Sequence, residues 1–160
     1  MASETTSPVS VVIDANVVIA LCSKEPDKLA NAEAKMMEYA SEGCNFYAPG
    51  VIIAECLYVL CRKLNDGVLT PAEHSSAVLG FITLMAAINP PPMGDKSLVK
   101  RAEEILGTFG CSRSADGIYL ALAAELNAAA STELVTFDAG MPNQAAGSNL
   151  PKPVVVLPTV

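Results

Sequence analysis

Short runs of β-branched and aromatic residues alternate along this chain with longer runs in which apolar residues recur at helical spacing. The strand-like runs are residues 9–13, 45–48, 134–137 and 153–157. Strands separated by helices are typical of a parallel sheet that is flanked by helices and joined by right-handed crossovers. We therefore predict an α/β fold in which functional residues lie beyond the carboxyl ends of the strands, with residues 153–157 as an edge strand.

The first helical segments have recognisable ends. We predict helices over 16–21, 27–42 and 50–65, the second closed by a glycine at 43 and the third by Asn-Asp-Gly at 65–67. The sequence Thr-Pro-Ala-Glu at 70–73 is a capping box with proline at the first helical position. Its helix should last until the prolines at 90–92.

Two further helices follow these prolines. Asp95 is predicted to cap the first of them, which should end at Gly107 and Gly110. The second, over 115–130, should have Ser114 as its N-cap and Asp116 in its first turn. The buried stripe of the first helix is predicted to comprise Leu98, Val99, Ala102, Ile105 and Leu106.

Composition excludes two broad classes of protein. The 160 residues are 51% hydrophobic and 17% charged, which suits one folded domain and excludes a mainly disordered chain. With 10 Lys and Arg against 17 Asp and Glu, the net charge is −7. This charge excludes a general nucleic-acid coat protein, because sequence-independent affinity comes from cations that neutralise phosphates.

The cysteines and the apolar segments indicate a cytoplasmic protein. The five cysteines, at 22, 44, 56, 61 and 111, lack the pairs and neighbouring histidines of a zinc site, so we expect reduced core residues. The amino terminus lacks the basic region of a signal peptide. The apolar segment 77–88 is about half the ~20 residues of a membrane-spanning helix. Its surplus apolar surface is expected either to be buried or to form a dimer or partner interface.

Four acidic residues occupy the positions where a parallel sheet would bring them together. Asp14 follows the first strand, Glu55 lies in the helix after the second, Asp116 opens a helix, and Asp138 follows the 134–137 strand. Two carboxylates about 4 Å apart repel by roughly 4 kcal/mol at an effective dielectric of 20, so a convergent cluster needs protons or cations. Oxygen ligands suit Mg²⁺ or Mn²⁺, which would orient a water and clamp the oxygens of a phosphodiester.

Four segments carry these acids, and in this order they resemble the acidic motifs of PIN-domain ribonucleases. The segments are VVIDAN at 11–16, APGVIIAE at 48–55, SADGIYLALA at 114–123 and VTFD at 135–138. The resemblance covers roughly residues 9–157 of a single domain spanning 1–160. It implies a three-layer α/β/α sandwich with a mostly parallel central sheet. The family's central strand between the fourth and fifth helices is reduced here to residues 88–93.

The resemblance also implies an activity and a site. The activity is Mg²⁺- or Mn²⁺-dependent cleavage of single-stranded RNA, as in the VapC-like toxins of toxin–antitoxin pairs, which form homodimers and are held inactive by a small antitoxin protein. The metal ligands would be Asp14, Glu55, Asp116 and Asp138. Asn16 and Thr136 would be supporting polar groups, and Ser114 would serve the helix start.

Each candidate also has a structural interpretation. Asp14 and Asp138 could begin turns, and Asp116 could act only on the helix dipole, for about 0.3 to 1 kcal/mol. Glu55 interrupts an apolar run in which a core-facing carboxylate is costly, although it could point to water. Two basic residues, Arg113 and Lys24, could hold a substrate phosphate or be solvated surface charges.

Two other functions compete with the nuclease. A catalytically silent PIN-like module would bind RNA or a protein without cutting. A phosphoryl-transfer domain built on one nucleophilic aspartate fits less well, because haloacid-dehalogenase-type enzymes need a second aspartate two positions after Asp14, where Asn16 stands.

Overall fold

The computed structural model describes residues 8–111, 115–146 and 154–160. Within these residues, four parallel strands form one sheet in the order β2-β1-β3-β4. The strands are β1 (Ser10–Ile13), β2 (Asn45–Tyr47), β3 (Thr132–Thr136) and β4 (Val154–Val156). The two central strands, β1 and β3, are therefore those that precede Asp14 and Asp138.

Helices connect the strands and cover the sheet. They are α1 (Ala15–Cys22), α2 (Leu29–Ser41), α3 (Val51–Asn65), α4 (Pro71–Ala87), α5 (Val99–Phe109), α6 (Asp116–Asn127) and α7 (Met141–Ala145). One group packs around α1, which contacts α2, α3 and α4. The other packs around α6, which contacts α5, α7, β1 and β3. This arrangement confirms the predicted three-layer α/β/α sandwich, and the sheet is wholly parallel over the described residues.

The core lies around the central strands and includes buried side chains of α1, α3 and α6. Val11 and Val12 of β1 and Leu134 of β3 are completely buried, and so is α6 from Tyr119 to Ala123. Each fully buried aliphatic side chain contributes roughly 1.5–3 kcal/mol relative to an exposed one. Burial on both faces explains why β1 is a continuous apolar run, as expected for a central parallel strand.

The start of α4 confirms the predicted capping box. The backbone N–H of Glu73 donates to Thr70 Oγ1 at 3.2 Å, and the backbone N–H of Thr70 donates to Glu73 Oε2 at 2.8 Å. The helix ends at Ala87, before the prolines. Its outer face exposes Leu79 and Ile82, so part of the surplus apolar surface in this segment lies on the outside of the protein.

The helix after the prolines starts later than predicted. Asp95 does not cap it but opens a 3₁₀ turn (Asp95–Leu98), and its Oδ1 accepts a hydrogen bond from the backbone N–H of Gly50 at 2.8 Å. The tighter turn changes which side chains face inward, so Val99 is 67% exposed instead of buried. Gly107 lies inside α5, whose end is Gly110 in a left-handed conformation.

The segment after α4 makes only one bridge to the sheet. Asn89 pairs with Tyr47 of β2; its N–H donates to Phe46 O at 2.8 Å, and its O accepts from Ala48 N at 3.1 Å. The prolines that follow cannot extend this pairing, because they have no N–H to donate. The strand is thus reduced, as predicted, to a single bridge, and this bridge lies on the outer side of β2.

The cysteines divide into two groups. Cys22, Cys44 and Cys56 are buried thiols, as predicted, whereas Cys61 and Cys111 are exposed. The prediction was wrong for these two because Cys61 lies on the outer face of α3, one turn after the exposed Leu57, and Cys111 follows the end of α5. No helix in the described ranges is long and apolar enough to cross a bilayer.

Candidate active site

Asp14 is the buried centre of the candidate site. It directly follows β1, and its side chain is held between the two central strands with only 6% of the residue exposed. Its Oδ2 accepts a hydrogen bond from Thr136 Oγ1 at 2.6 Å and another from Asn16 Nδ2 at 2.9 Å. Neutral donors therefore anchor this carboxylate.

Asn16 joins the carboxyl ends of β1 and β3. Besides Asp14, its Nδ2 donates to Thr136 Oγ1 at 3.0 Å, while its Oδ1 accepts from the backbone N–H of Phe137 at 3.0 Å. Thr136 also accepts a bond from the backbone N–H of Asp138 at 2.9 Å. Asn16 and Thr136 thus lie where they can support Asp14, as the sequence suggested.

Glu55 reaches the same region from α3. It is half-buried, and its Oε1 accepts a hydrogen bond from the hydroxyl of Tyr119 at 2.9 Å. Tyr119 belongs to α6 and is completely buried. Burial, followed by the charges of Glu55 and Asp14, raises the pKa of Tyr119, so its hydroxyl keeps its proton and acts as the donor.

Asp116 is the first residue of α6 and is also half-buried. Its Oδ2 accepts a hydrogen bond from Gln144 Nε2 at 2.6 Å. Gln144 belongs to α7 and is 7% exposed. This bond connects the start of α6 to the segment that follows β3.

Asp14, Glu55 and Asp116 interact electrostatically. Burial raises the pKa of Asp14, the Thr136 hydrogen bond lowers it, and the charges of Asp116 and Glu55 raise it, so that the net pKa is about 7. Burial likewise raises the pKa of Glu55, where the Tyr119 hydrogen bond opposes it and the Asp116 charge adds to it. The structure therefore brings three of the four predicted acids near one another.

The other predicted residues lie in different settings. Asp138 begins a turn in which its Oδ1 accepts a hydrogen bond from the backbone N–H of Gly140 at 2.7 Å. Lys24 is exposed just after α1, with a positive φ of 53°. Arg113 and Ser114 lie outside the described residues.

The site suits a divalent cation by charge and by donor type. Its carboxylates offer only oxygen, the donor preferred by Mg²⁺ and Mn²⁺, and no Lys, Arg or His in the described ranges forms a salt bridge with Asp14 or Glu55. No three His, Cys, Asp or Glu side chains in those ranges already have the spacing of a ligand set. The residues thus fit such an ion chemically without forming a closed cage.

Two residues of this site, Tyr119 and Gln144, were not identified from the sequence. Tyr119 lies three positions after Asp116 in a helix, so both side chains share one face, and this spacing was sufficient to identify it. Gln144 had no comparable indication, because residues 141–145 were not assigned to a helix. Only the fold places its amide against Asp116.

The chain is similar in fold to two solved structures. No curated protein sequence matches the chain. A chain in the crystal structure of VapBC2 from Rickettsia felis, bound to a DNA fragment from their promoter, is 13% identical with a TM-score of 0.63, over 92% of this chain and 98% of that one. The structure of PAE2754 from Pyrobaculum aerophilum is 16% identical with a TM-score of 0.51, over 88% and 82%.

A family description covers most of the chain. The family model for the PIN domain matches residues 11–147, a range that contains all four predicted acids. The two solved structures share the fold at low identity. The chain therefore belongs to the PIN-domain family.

Proposed function

We propose that this protein is a Mg²⁺- or Mn²⁺-dependent endoribonuclease that cleaves single-stranded RNA and is the toxin of a toxin–antitoxin pair. The observation that carries the proposal is the position of Asp14. Its carboxylate is buried at the end of a central strand, beside the charges of Glu55 and Asp116. Burial and the neighbouring like charges both raise the pKa of Asp14, which makes its charged form costly, and carboxylates perturbed in this way are concentrated at functional sites.

The chain's own residues would divide the work of phosphodiester hydrolysis. Asp14, Glu55, Asp116 and Asp138 are the proposed ligands of the divalent ion, which supplies Lewis acidity and lowers the pKa of water when it is bound. Thr136 and Asn16 hold Asp14 in place through the bonds described above. The proposed phosphate contacts of the RNA are Lys24 and Arg113. Ser114 is a proposed supporting residue, although it is not the predicted N-cap of α6, because that position is Ala115.

The direct test is cleavage of a single-stranded RNA pool with Mn²⁺ by the wild type and by Asp14→Asn. We expect the variant to lose at least about 100-fold in rate, because several kcal/mol of transition-state stabilisation depend on the acidic cluster. Asp27→Asn, the same substitution at an exposed position, is the control and should cleave at the wild-type rate. Equal rates for the wild type and Asp14→Asn would remove the proposal.

Asp138 needs its own test because its carboxylate already accepts a bond from the turn. Asp138→Asn keeps an oxygen that can accept the Gly140 N–H but removes the charge. We expect weaker Mn²⁺ binding in calorimetry with little change in melting temperature. Unchanged Mn²⁺ affinity in this variant, together with a lower melting temperature in Asp138→Ala, would assign Asp138 to the turn alone.

The proposed partners are a small antitoxin protein and a second copy of the chain. The Rickettsia felis structure contains a toxin–antitoxin complex with promoter DNA, which supports an antitoxin partner for a chain of the same fold. Exposed apolar residues on α3 and α4 provide surfaces for such contacts; they are Ile53, Leu57, Tyr58, Leu79 and Ile82. Sedimentation of the purified protein measures the proposed homodimer.

The alternative is a catalytically silent PIN-like module that binds RNA or a protein. It is favoured by one observation, namely that no three acidic, histidine or cysteine side chains in the described part of the chain are spaced as a ready ligand set. Mn²⁺ titration by calorimetry distinguishes the two functions. The nuclease binds the ion, whereas a silent module has no need of it.

A further inference from the structure

We infer that Tyr119 and Gln144 are positioning residues, which restrict the carboxylates of Glu55 and Asp116 in the acidic cluster and so strengthen its binding of a divalent ion. The inference rests on the proposed function, since it concerns the same site. Among the described residues, Tyr119 donates its side-chain hydrogen bond to Glu55, and Gln144 donates its own to Asp116. They act through the flanking carboxylates.

The Tyr119 hydroxyl connects two separate helices of the site. Tyr119 lies one turn after Asp116 on α6, and its bond to Glu55 Oε1 reaches across to α3. A completely buried hydroxyl needs a partner, and Glu55 is the acceptor at 2.9 Å. The bond occupies one carboxylate oxygen and orients the group without adding positive charge that would compete with a cation.

The amide of Gln144 does the same for Asp116. Gln144 is almost completely buried on α7, and its bond to Asp116 Oδ2 is short at 2.6 Å. This contact fixes the position of α7 against the start of α6. The helix α7 comes directly after the turn that Asp138 begins. The segment after β3 therefore contributes to the cluster through the amide of Gln144.

Neutral donors are the chemistry that such positioning requires. A lysine or arginine in either place would neutralise the carboxylate and weaken its attraction for a divalent ion. A hydroxyl or an amide restricts the rotation of the carboxylate while leaving its charge in place. Loss of comparable outer hydrogen bonds in metal sites typically costs 10–100-fold in metal affinity or activity.

The experiment compares two isosteric variants with two matched controls. Tyr119→Phe removes the hydroxyl alone, and Gln144→Met replaces the amide that donates to Asp116 with an apolar group of similar length. Tyr39→Phe removes a similar bond from another buried tyrosine, whose hydroxyl donates to Glu133 Oε2, and Asn143→Met changes the exposed neighbour of Gln144. Titration calorimetry measures the Mn²⁺ dissociation constant, and scanning calorimetry measures the melting temperature without metal. The rate of cleavage is measured on single-stranded RNA.

We expect Tyr119→Phe and Gln144→Met each to weaken Mn²⁺ binding by about ten-fold, and both controls to stay within about two-fold of the wild type. Tyr39→Phe should lower the melting temperature about as much as Tyr119→Phe, which separates positioning from stability. In a Glu55→Gln background, Tyr119→Phe should have no further effect on Mn²⁺ affinity, because it acts through that carboxylate.

The outcomes distinguish this inference from the proposed function. Wild-type affinity in both Tyr119→Phe and Gln144→Met, with Mn²⁺ binding and cleavage intact, would overturn the inference alone. A wild type that binds Mn²⁺ but cuts no RNA would overturn the proposed nuclease, and the affinities of the variants would still decide the inference. A wild type that binds no Mn²⁺ would overturn both.

Discussion

Asp14→Asn should stabilise the metal-free protein at pH 8 and abolish its stabilisation by Mn²⁺. The folded state raises the pKa of Asp14 from 3.8 to about 7. The stability that this group contributes is therefore complete below about pH 4 and is lost as the pH rises through 7. At pH 8 the loss is at most about 4 kcal/mol, since one pKa unit corresponds to about 1.4 kcal/mol.

Thermal unfolding at pH 5 and pH 8, with and without Mn²⁺, measures both effects. We expect the variant to melt on the order of 10 °C above the metal-free wild type at pH 8, and by a smaller margin at pH 5. Saturating Mn²⁺ at 100 times its dissociation constant should add about 2.7 kcal/mol to the wild type only. Asp27→Asn should behave as wild type, and an identical pH profile for Asp14→Asn would contradict convergence of the acids.

Thr136→Val should destabilise the protein by about 2–3 kcal/mol at pH 8, and by less at pH 5. Thr136 is completely buried, and its hydroxyl donates the 2.6 Å bond to Asp14. Valine fills the same space but leaves a buried carboxylate without that donor, and hydrogen bonds to charged groups contribute more than those between neutral groups. The penalty should shrink at low pH, because protonated Asp14 carries no charge to stabilise.

The same strand contains the control for this substitution. Thr132 is also buried, but its hydroxyl donates to the neutral carbonyl of Ala130 at 2.9 Å. Thr132→Val should therefore cost about 1 kcal/mol at both pH values. Chemical denaturation at pH 5 and pH 8 gives the four free energies of unfolding. A Thr136→Val penalty that does not change with pH would show that the bond has no connection to the charge of Asp14.

The fold could be predicted largely from local patterns. Central strands such as β1 are recognisable because burial on both faces favours an almost continuous apolar run, and the capping box at Thr70 marks a helix start by itself. The position of Val99 could not be predicted, because the 3₁₀ turn before it depends on Asp95 bonding to Gly50, a contact across 45 positions. Such contacts have no local pattern.

The site could be predicted only in part, from the rule that functional residues lie beyond the carboxyl ends of parallel strands. The ends of parallel strands share an edge, and this placed Asp14 near Glu55 and Asp116. The rule does not specify the direction of a side chain. Asp138, which also follows a central strand, bonds to its own turn, and the amide beside Asp116 comes from Gln144 in a helix too short to be recognised.

The outer strands of the sheet restrict how this protein associates with other molecules. Over the described residues, β2 and β4 each have three residues, and the bridge from Asn89 already occupies part of the outer side of β2. Edges this short provide little template for strand addition from another molecule, which is how sheet proteins aggregate. A binding partner or a second copy is therefore expected to recognise side chains, so that shape and sequence, rather than generic backbone pairing, decide what it accepts.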